Sequence, residues 1–371
     1  MAVVTKYLSV KRSVLIMAVG LTAFLVYLYF YIGIPKIIEV VEDINSFQYA
    51  FYYSIALISV LLSVFFWSTA WNSILRSLKV KISYRKAYLY YWVGYFSDLV
   101  VPCATICGEL TRLYLVQKET DKSYGVLAAS AVTNRIVAYT IVTIGLYSGG
   151  ALIFLKPGVP SVISNVFYVL LAGVTFYLAV LLYLASAKHA AKNFAAVYQK
   201  LYKTLRPKSY SPFKDLQTRQ SLESYYSGFK IFRESPRLLI KPFLLHLLSY
   251  FFGIIVYILI FDALGIPSSL EFYIVVYFIA TAVQDAAASF SVGSLEFILG
   301  SLFVLYGLPH GSAFVTALLV RSAGFWFPLL VGFIAVQYLG ARNLIDKTPP
   351  LKETGTDEIF GAANSNNLPV G

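Results

Sequence analysis

A chain of 371 residues in which 58% are hydrophobic and 13% charged cannot bury that much apolar surface in a soluble core, so a water-soluble globular protein is excluded. The net charge of +12 gathers in short stretches beside apolar segments, as the positive-inside rule expects of a polytopic membrane protein, and does not point to nucleic acid. Cys103 and Cys107 are too few for a disulfide framework and lack the partners of a zinc site; they read as small packing residues, and no metal or cofactor is expected.

In chain order, Lys6, Lys11 and Arg12 precede an apolar run at 14–32 that no small-residue cleavage site follows, which predicts a retained first span with a cytoplasmic N-terminus. The loop at 33–48 carries Glu39, Glu42 and Asp43 against Lys36 and is placed outside. A second span at 49–71 returns to Arg76, Lys79, Lys81, Arg85 and Lys86, a cytoplasmic loop. Apolar pieces at 87–101 and 108–117 are each too short to span alone. With Lys118 and Lys122 behind them, they predict a re-entrant hairpin dipping in from the cytoplasm. A third span at 124–150 carries Asn134 and Arg135 outward, and a fourth at 162–187 comes back.

From 188 to 237 the chain holds eleven Lys or Arg against Asp215, Glu223 and Glu234, with Pro207 and Pro212 as breakers. This predicts a basic cytoplasmic connector, helical at each end and lying on anionic headgroups. A fifth span at 238–261 contains His246, which on such an aromatic, Leu-rich helix reads as a packed, hydrogen-bonded residue outside the site. A second hairpin at 270–308 dips in from outside, and a last span at 312–339 carries Arg321 back. The polar tail at 341–371, with Pro349-Pro350, is expected to be a disordered cytoplasmic segment. The fold class is therefore all-α: a polytopic helix bundle of about six full spans plus two re-entrant helical hairpins, forming one transmembrane domain over 1–340. On the charge rule its halves, 49–187 and 238–339, run in opposite senses, an inverted repeat whose sites lie near the midplane.

Charged groups stand in these apolar surroundings, where each costs about 2.5–3.5 kcal/mol at bilayer depth and needs a partner or a wet cavity. Arg135 and Arg321 sit roughly 13–17 Å into their spans at 1.5 Å per residue, too deep to snorkel. Glu109 and Glu296 precede them by nearly equal separations. Two readings follow: structural ion pairs that lock each hairpin to the next span, and guanidinium groups that bind the phosphate of a lipid headgroup. These coexist, because a neutralised arginine still carries several donors. Glu109 and Arg112 stand at i,i+3 and share a helix face. Asp98 and Asp285 precede the two helix breaks as caps, partners of the arginines or proton relays; Pro102 marks the first break, and Gly108 and Gly293 open half-helix N-termini that attract an anion.

At the hairpins the chain resembles a known family. Pro102…Gly108-Glu109-Leu110-Thr111-Arg112 followed by Ala128-Ala129-Ser130…Arg135, and Val292-Gly293-Ser294-Leu295-Glu296 followed by Gly307…Ala317…Arg321, resemble the flippase-like transmembrane family. It includes the membrane region of lysylphosphatidylglycerol synthases and uncharacterised UPF0104-type integral membrane proteins. The resemblance covers about residues 10–340. It implies movement of a lipid headgroup between leaflets, with Glu109, Arg112, Arg135, Glu296 and Arg321 at the motif positions. Cys-Ala-Thr-Ile-Cys before Gly108 and Ser294 in the second motif stand where that family is richer in glycine. The fused synthases' soluble aminoacyl-transferase domain has no counterpart here, so a lipid-modifying enzyme would be a separate polypeptide.

No GxSxG, P-loop, HExxH or GxGxxG element survives inspection, so the expected function is not enzymatic. It is translocation of a phosphate-bearing lipid (anionic, aminoacylated or polyprenyl-type) in the cell membrane, with membrane lipids as partners. Two alternatives remain: a small-solute secondary transporter on the same repeat, and a membrane glycosyltransferase using Glu42-Asp43. The charge counts predict that cysteines replacing Ser83, Ser209 and Thr356, in a background without Cys103 and Cys107, are labelled only from the cytoplasmic side. External labelling at position 209 overturns the inverted assignment.

Overall fold

A computed structural model describes residues 46–100, 106–154, 161–186, 212–286 and 291–340, together with 22 and 26. Among them are eleven α-helices and no strand, which is the expected all-α class. The first expected span lies outside the described residues except for the helical Thr22 and Val26. Pro102, Glu42-Asp43, the hairpin tips at 101–105 and 287–290, and the tail at 341–371 are also outside them.

Among the described residues five helices are long and apolar enough to cross a membrane, and they fall on the other five expected spans. They are α1 (Ser46–Ser77), α4 (Tyr124–Phe154), α5 (Ser161–Ser186), α7 (Ile240–Ala263, entered by a 3-10 turn at Pro236–Leu239) and the run from α10 (His310–Arg321) to α11 (Phe327–Tyr338). Exposed side chains such as Phe65, Phe176, Leu248, Phe251, Leu330 and Ile334 give them the apolar outer surface that lipid requires. The protein is an integral membrane protein.

Between the spans lie the hairpins, α2 (Tyr84–Val100) with α3 (Ile106–Thr120), and α8 (Leu270–Ala286) with α9 (Ser291–Leu305). Each consists of a 17-residue helix followed by a 15-residue helix. At 1.5 Å per residue these reach about 25 and 22 Å, short of the roughly 30 Å hydrocarbon core. The base of the first hairpin is clasped where Lys86 Nζ and Tyr90 Oη both reach Glu119, at 2.7 and 2.6 Å.

The runs α1–α4 and α7–α11 meet reciprocally. α1 packs along α7; α2 packs on α11, and α8 on α4, so each hairpin's first arm lies against the last span of the other run. The helix ends correspond as well. Left-handed residues follow α1 (Lys79, φ 59) and α7 (Gly265, φ 69), and again follow α3 (Asp121, φ 50) and α9 (Gly307, φ 96). After α1, α7 and α9 the reversed backbone lets the next amide return to a carbonyl of the last turn: Val80 N donates to Leu75 O, Ile266 N to Phe261 O and Leu308 N to Phe303 O.

Close approach of the arms depends on glycine. Gly145 on α4 receives the ring of Phe278 from α8, while Gly332 on α11 receives Phe96 from α2. Within the first hairpin, Gly94 and Gly108 face each other so closely that a Cβ on either would collide with backbone. The connector ends in α6 (Pro212–Glu234), which crosses the start of α4 with Gly125 against Ser221 and Gly228 against Ala129.

The run α10–α11 is not uniform. Residues Ser322–Trp326 form a π-turn directly after Arg321. Pro328 explains it, since it has no N–H to return to the preceding turn and the ladder widens upstream. A Cβ at Gly332 would lie 2.8 Å from Phe96 Cβ and 3.0 Å from the Trp92 carbonyl, whereas one at Gly173 would meet nothing within 4 Å. Gly332→Ala is therefore expected to lose about 1–3 kcal/mol by overpacking and to lower the unfolding midpoint in detergent, while Gly173→Ala does not lower it.

Candidate functional site

Residues of both halves line a partly open cavity of about 250 Å³, and five of the predicted charged residues converge on it: Asp98, Glu109, Arg112, Arg135 and Arg321 stand on its wall, while Glu296 lies behind Arg321. Arg135 comes from α4 of the first run and Arg321 from the end of α10 in the second. Two arginines far apart in sequence thus face one space.

Each arginine is gripped by the glutamate that the sequence paired with it, and through the same atoms. Arg135 Nε donates to Glu109 Oε1, and Arg321 Nε donates to Glu296 Oε1 at 3.0 Å. Their surroundings differ. The Arg321–Glu296 pair is sealed, each side chain 2% exposed, whereas Glu109 keeps 21% and Arg135 17% of their side-chain surface. Arg321 also lies under the Phe325 ring at 4.5 Å, a contact supplied by the π-turn.

Arg112 forms the expected i,i+3 ion pair with Glu109, its Nη2 at 3.8 Å, too long for a direct hydrogen bond. Its guanidinium also lies over the Tyr91 ring at 4.5 Å, and its Nε donates to Gly108 O at 3.3 Å. Nearby, Trp71 Nε1 donates to Ser130 Oγ at 3.2 Å, which gives the Ala128-Ala129-Ser130 stretch its purpose: Ser130 fastens α1 to α4, and Ala129 admits α6.

Asp98 acts at the helix break. Its Oδ1 accepts the Gly108 backbone N–H at 2.6 Å, so a carboxylate of the protein itself fills the anion position at the start of α3. Gly108 is obligatory there because a Cβ would strike Asp98 and Gly94. Asp285 and Gly293 occupy corresponding places, near the end of α8 and the start of α9. Cys107 is buried in α3.

Several residues of the site carried no usable signal in sequence. Tyr177 on α5 accepts a 2.9 Å hydrogen bond from Arg135 Nη1, and its ring stands 4.6 Å from that of Tyr139. On an outward-facing helix rich in Tyr and Phe, nothing distinguishes it in advance. Trp67 and tyrosines 91, 95, 139, 250, 257 and 277 also line the cavity. His246 is fully buried and bonds through Nε2 to Asn134 Oδ1 at 3.0 Å, as expected of a packed histidine, yet it thereby holds a cavity residue beside Arg135. Among the described residues no group of three or more His, Cys, Asp or Glu is placed to hold a metal ion.

The family model for the lysylphosphatidylglycerol synthase TM region matches residues 15–332. The chain belongs to this family. It is similar to UPF0104 membrane protein MJ1595 of Methanocaldococcus jannaschii, at 24% identity over 329 residues, covering 85% of this chain and 91% of that one. It is also similar to UPF0104 membrane protein PH1989 of Pyrococcus horikoshii, at 22% over 339 residues, covering 88% and 96%. No solved structure matches the chain. In this family member the matched region includes all five charged residues of the cavity wall.

The sealed pair provides a stability test. Arg321→Gln leaves Glu296 buried without its cation, and breaking such a pair costs about 3–5 kcal/mol. The double variant Glu296→Gln, Arg321→Gln removes both charges and is expected to recover most of that loss. A thermal-unfolding double-mutant cycle in detergent measures the coupling, and additive losses would show that the pair is not coupled.

Proposed function

We propose that this protein moves the phosphate-bearing headgroup of a lipid between the leaflets of the membrane, with its tails remaining in lipid. The observation that carries the reading is the presence of Arg135 and Arg321, one from each run, on the wall of a single cavity. A guanidinium offers a rigid fork of donors that suits a phosphate. A cavity of about 250 Å³ falls below the roughly 300–1,000 Å³ of pockets that enclose a drug-sized ligand, so it fits a headgroup and not a whole lipid.

The reading extends to the scaffold. The halves 49–187 and 238–339 form an inverted repeat, joined by the cytoplasmic connector at 188–237, with both termini in the cytoplasm. The reciprocal packing of α2 on α11 and α8 on α4, and the matching left-handed helix ends, support this. In such a repeat the two ion pairs exchange environments as the protein opens to one side and then the other. The unequal exposure of Glu109 and Glu296 is what one of those two states would present. No bond of the substrate changes in this account.

Arg135 uses Nε for Glu109 and Nη1 for Tyr177, two directions that a lysine cannot serve together. Arg135→Lys is therefore expected to slow lipid movement about tenfold or more while the protein still folds, and Arg135→Gln to slow it further. The assay reconstitutes each form in vesicles and follows exposure of fluorescent phospholipids to an impermeant quencher. Equal movement by all three forms, or none by folded wild type across anionic and polyprenyl phosphate lipids, overturns the flippase reading in favour of a small-solute carrier.

A further inference from the structure

The charges of the site cancel. Among the described side chains Arg112, Arg135 and Arg321 are set against Asp98, Glu109 and Glu296, three cations against three carboxylates. An anionic headgroup that enters this cavity therefore brings a charge that the protein leaves unmatched at membrane depth, where such a charge is costly. A further cation has to enter with it, and one of the carboxylates has to receive that cation.

The three carboxylates differ in what holds them. Glu109 pairs with Arg135 and Arg112, and Glu296 with Arg321 in a sealed contact, so neutralising either strips an arginine of its counter-charge. Asp98 joins no ion pair among the described residues. Its Oδ1 accepts the Gly108 amide and its Oδ2 accepts no hydrogen bond from them, while the residue keeps some exposed surface on the wall of a partly open cavity. A proton on Oδ2 strands no cation, and the neutral acid still accepts from Gly108. A divalent metal ion fits less well: it takes about six oxygen ligands, and no group of three or more His, Cys, Asp or Glu is gathered among the described residues.

The charges that act on Asp98 are Arg112 and Glu109 of α3 and Arg135 of α4. Arg321 stands on the same wall. The other two helices packed on α2 add nothing nearby: α11 carries no charged residue, and α1 carries only Arg76, which lies over Tyr84 at the far end of α2. Resting on the phosphate-lipid reading, we propose that the protein is a proton-coupled carrier, in which Asp98 takes up one proton with each anionic headgroup and gives it up where the headgroup leaves. The proton comes from water on the acidic side, joins a carboxylate oxygen, and returns to water on the other side. Wall, headgroup and proton together stay neutral throughout.

The experiment reconstitutes the full-length protein in phosphatidylcholine vesicles that hold a trace of fluorescent phosphatidylglycerol, whose phosphodiester carries a single negative charge. A gradient of about one pH unit is imposed with the membrane potential clamped, and an impermeant quencher reads the leaflet distribution before protein-free vesicles redistribute the lipid. One proton per lipid is expected to enrich the leaflet facing the alkaline side about tenfold. Asp98→Asn, and Asp98→Ser as a second non-titrating form, are expected to exchange the lipid more slowly and to leave it even between the leaflets. An even distribution with wild type that does move the lipid overturns the coupling and leaves the lipid reading standing. Enrichment that survives in either folded variant overturns Asp98 as the seat of the proton. Labelled glycerol 3-phosphate is the soluble arm: its accumulation in an alkaline lumen, without lipid movement, supports proton coupling and overturns the lipid reading. Movement of neither overturns both.

Discussion

The cost of ionised groups at membrane depth governs this structure. Asp98, Glu109, Arg112, Arg135, Glu296 and Arg321 lie within or beside apolar helices, where lipid offers no compensation. Each therefore has a partner inside the protein, and most partners come from another helix. Glu109 and Glu296 sit on the second arms of the hairpins and their arginines on the spans that follow, so neutralising the charge also binds each hairpin to the span after it. These helices are shorter than the hydrocarbon core, and the ion pair ties each to a full span.

Packing then follows from how closely helices can approach. Without a hydrophobic force between apolar helices in lipid, close contact and hydrogen bonds decide association. Gly145 and Gly332 give Phe278 and Phe96 their seats on the opposite run, and Gly94 and Gly108 bring the arms of the first hairpin into backbone contact. These contacts leave the cavity as the one region among the described residues where five charged side chains and many hydroxyls share a wall.

The correspondence between the runs is incomplete in a way that matters chemically. Three residues after Glu109 stands Arg112, on the cavity wall; three after Glu296 stands Leu299, fully buried. Arg321 is followed by a π-turn and Phe325, whereas Arg135 is followed by regular helix and braced by Tyr177. The first run thus presents a charged, partly exposed face to the cavity, and the second closes it with a buried pair and an aromatic ring.

Hydropathy and charge by themselves determined the helical class, the five described spans and both hairpins, because a 20-residue apolar run and a 15-residue one differ plainly in length. The ion pairs were legible too. A deep arginine requires a carboxylate, and Glu109 and Glu296 stood at matching separations from Arg135 and Arg321. Only the tertiary structure decided which side chains share the cavity. Trp67, Asn134 and Gln284 come from three helices, and a fourth brings Tyr177 to Arg135; their meeting depends on helix rotation and crossing, which local composition does not encode. It also decided that Asp98 closes the start of α3 and that Arg112, besides its ion pair with Glu109, rests on the Tyr91 ring, a contact from another helix that sequence spacing does not encode.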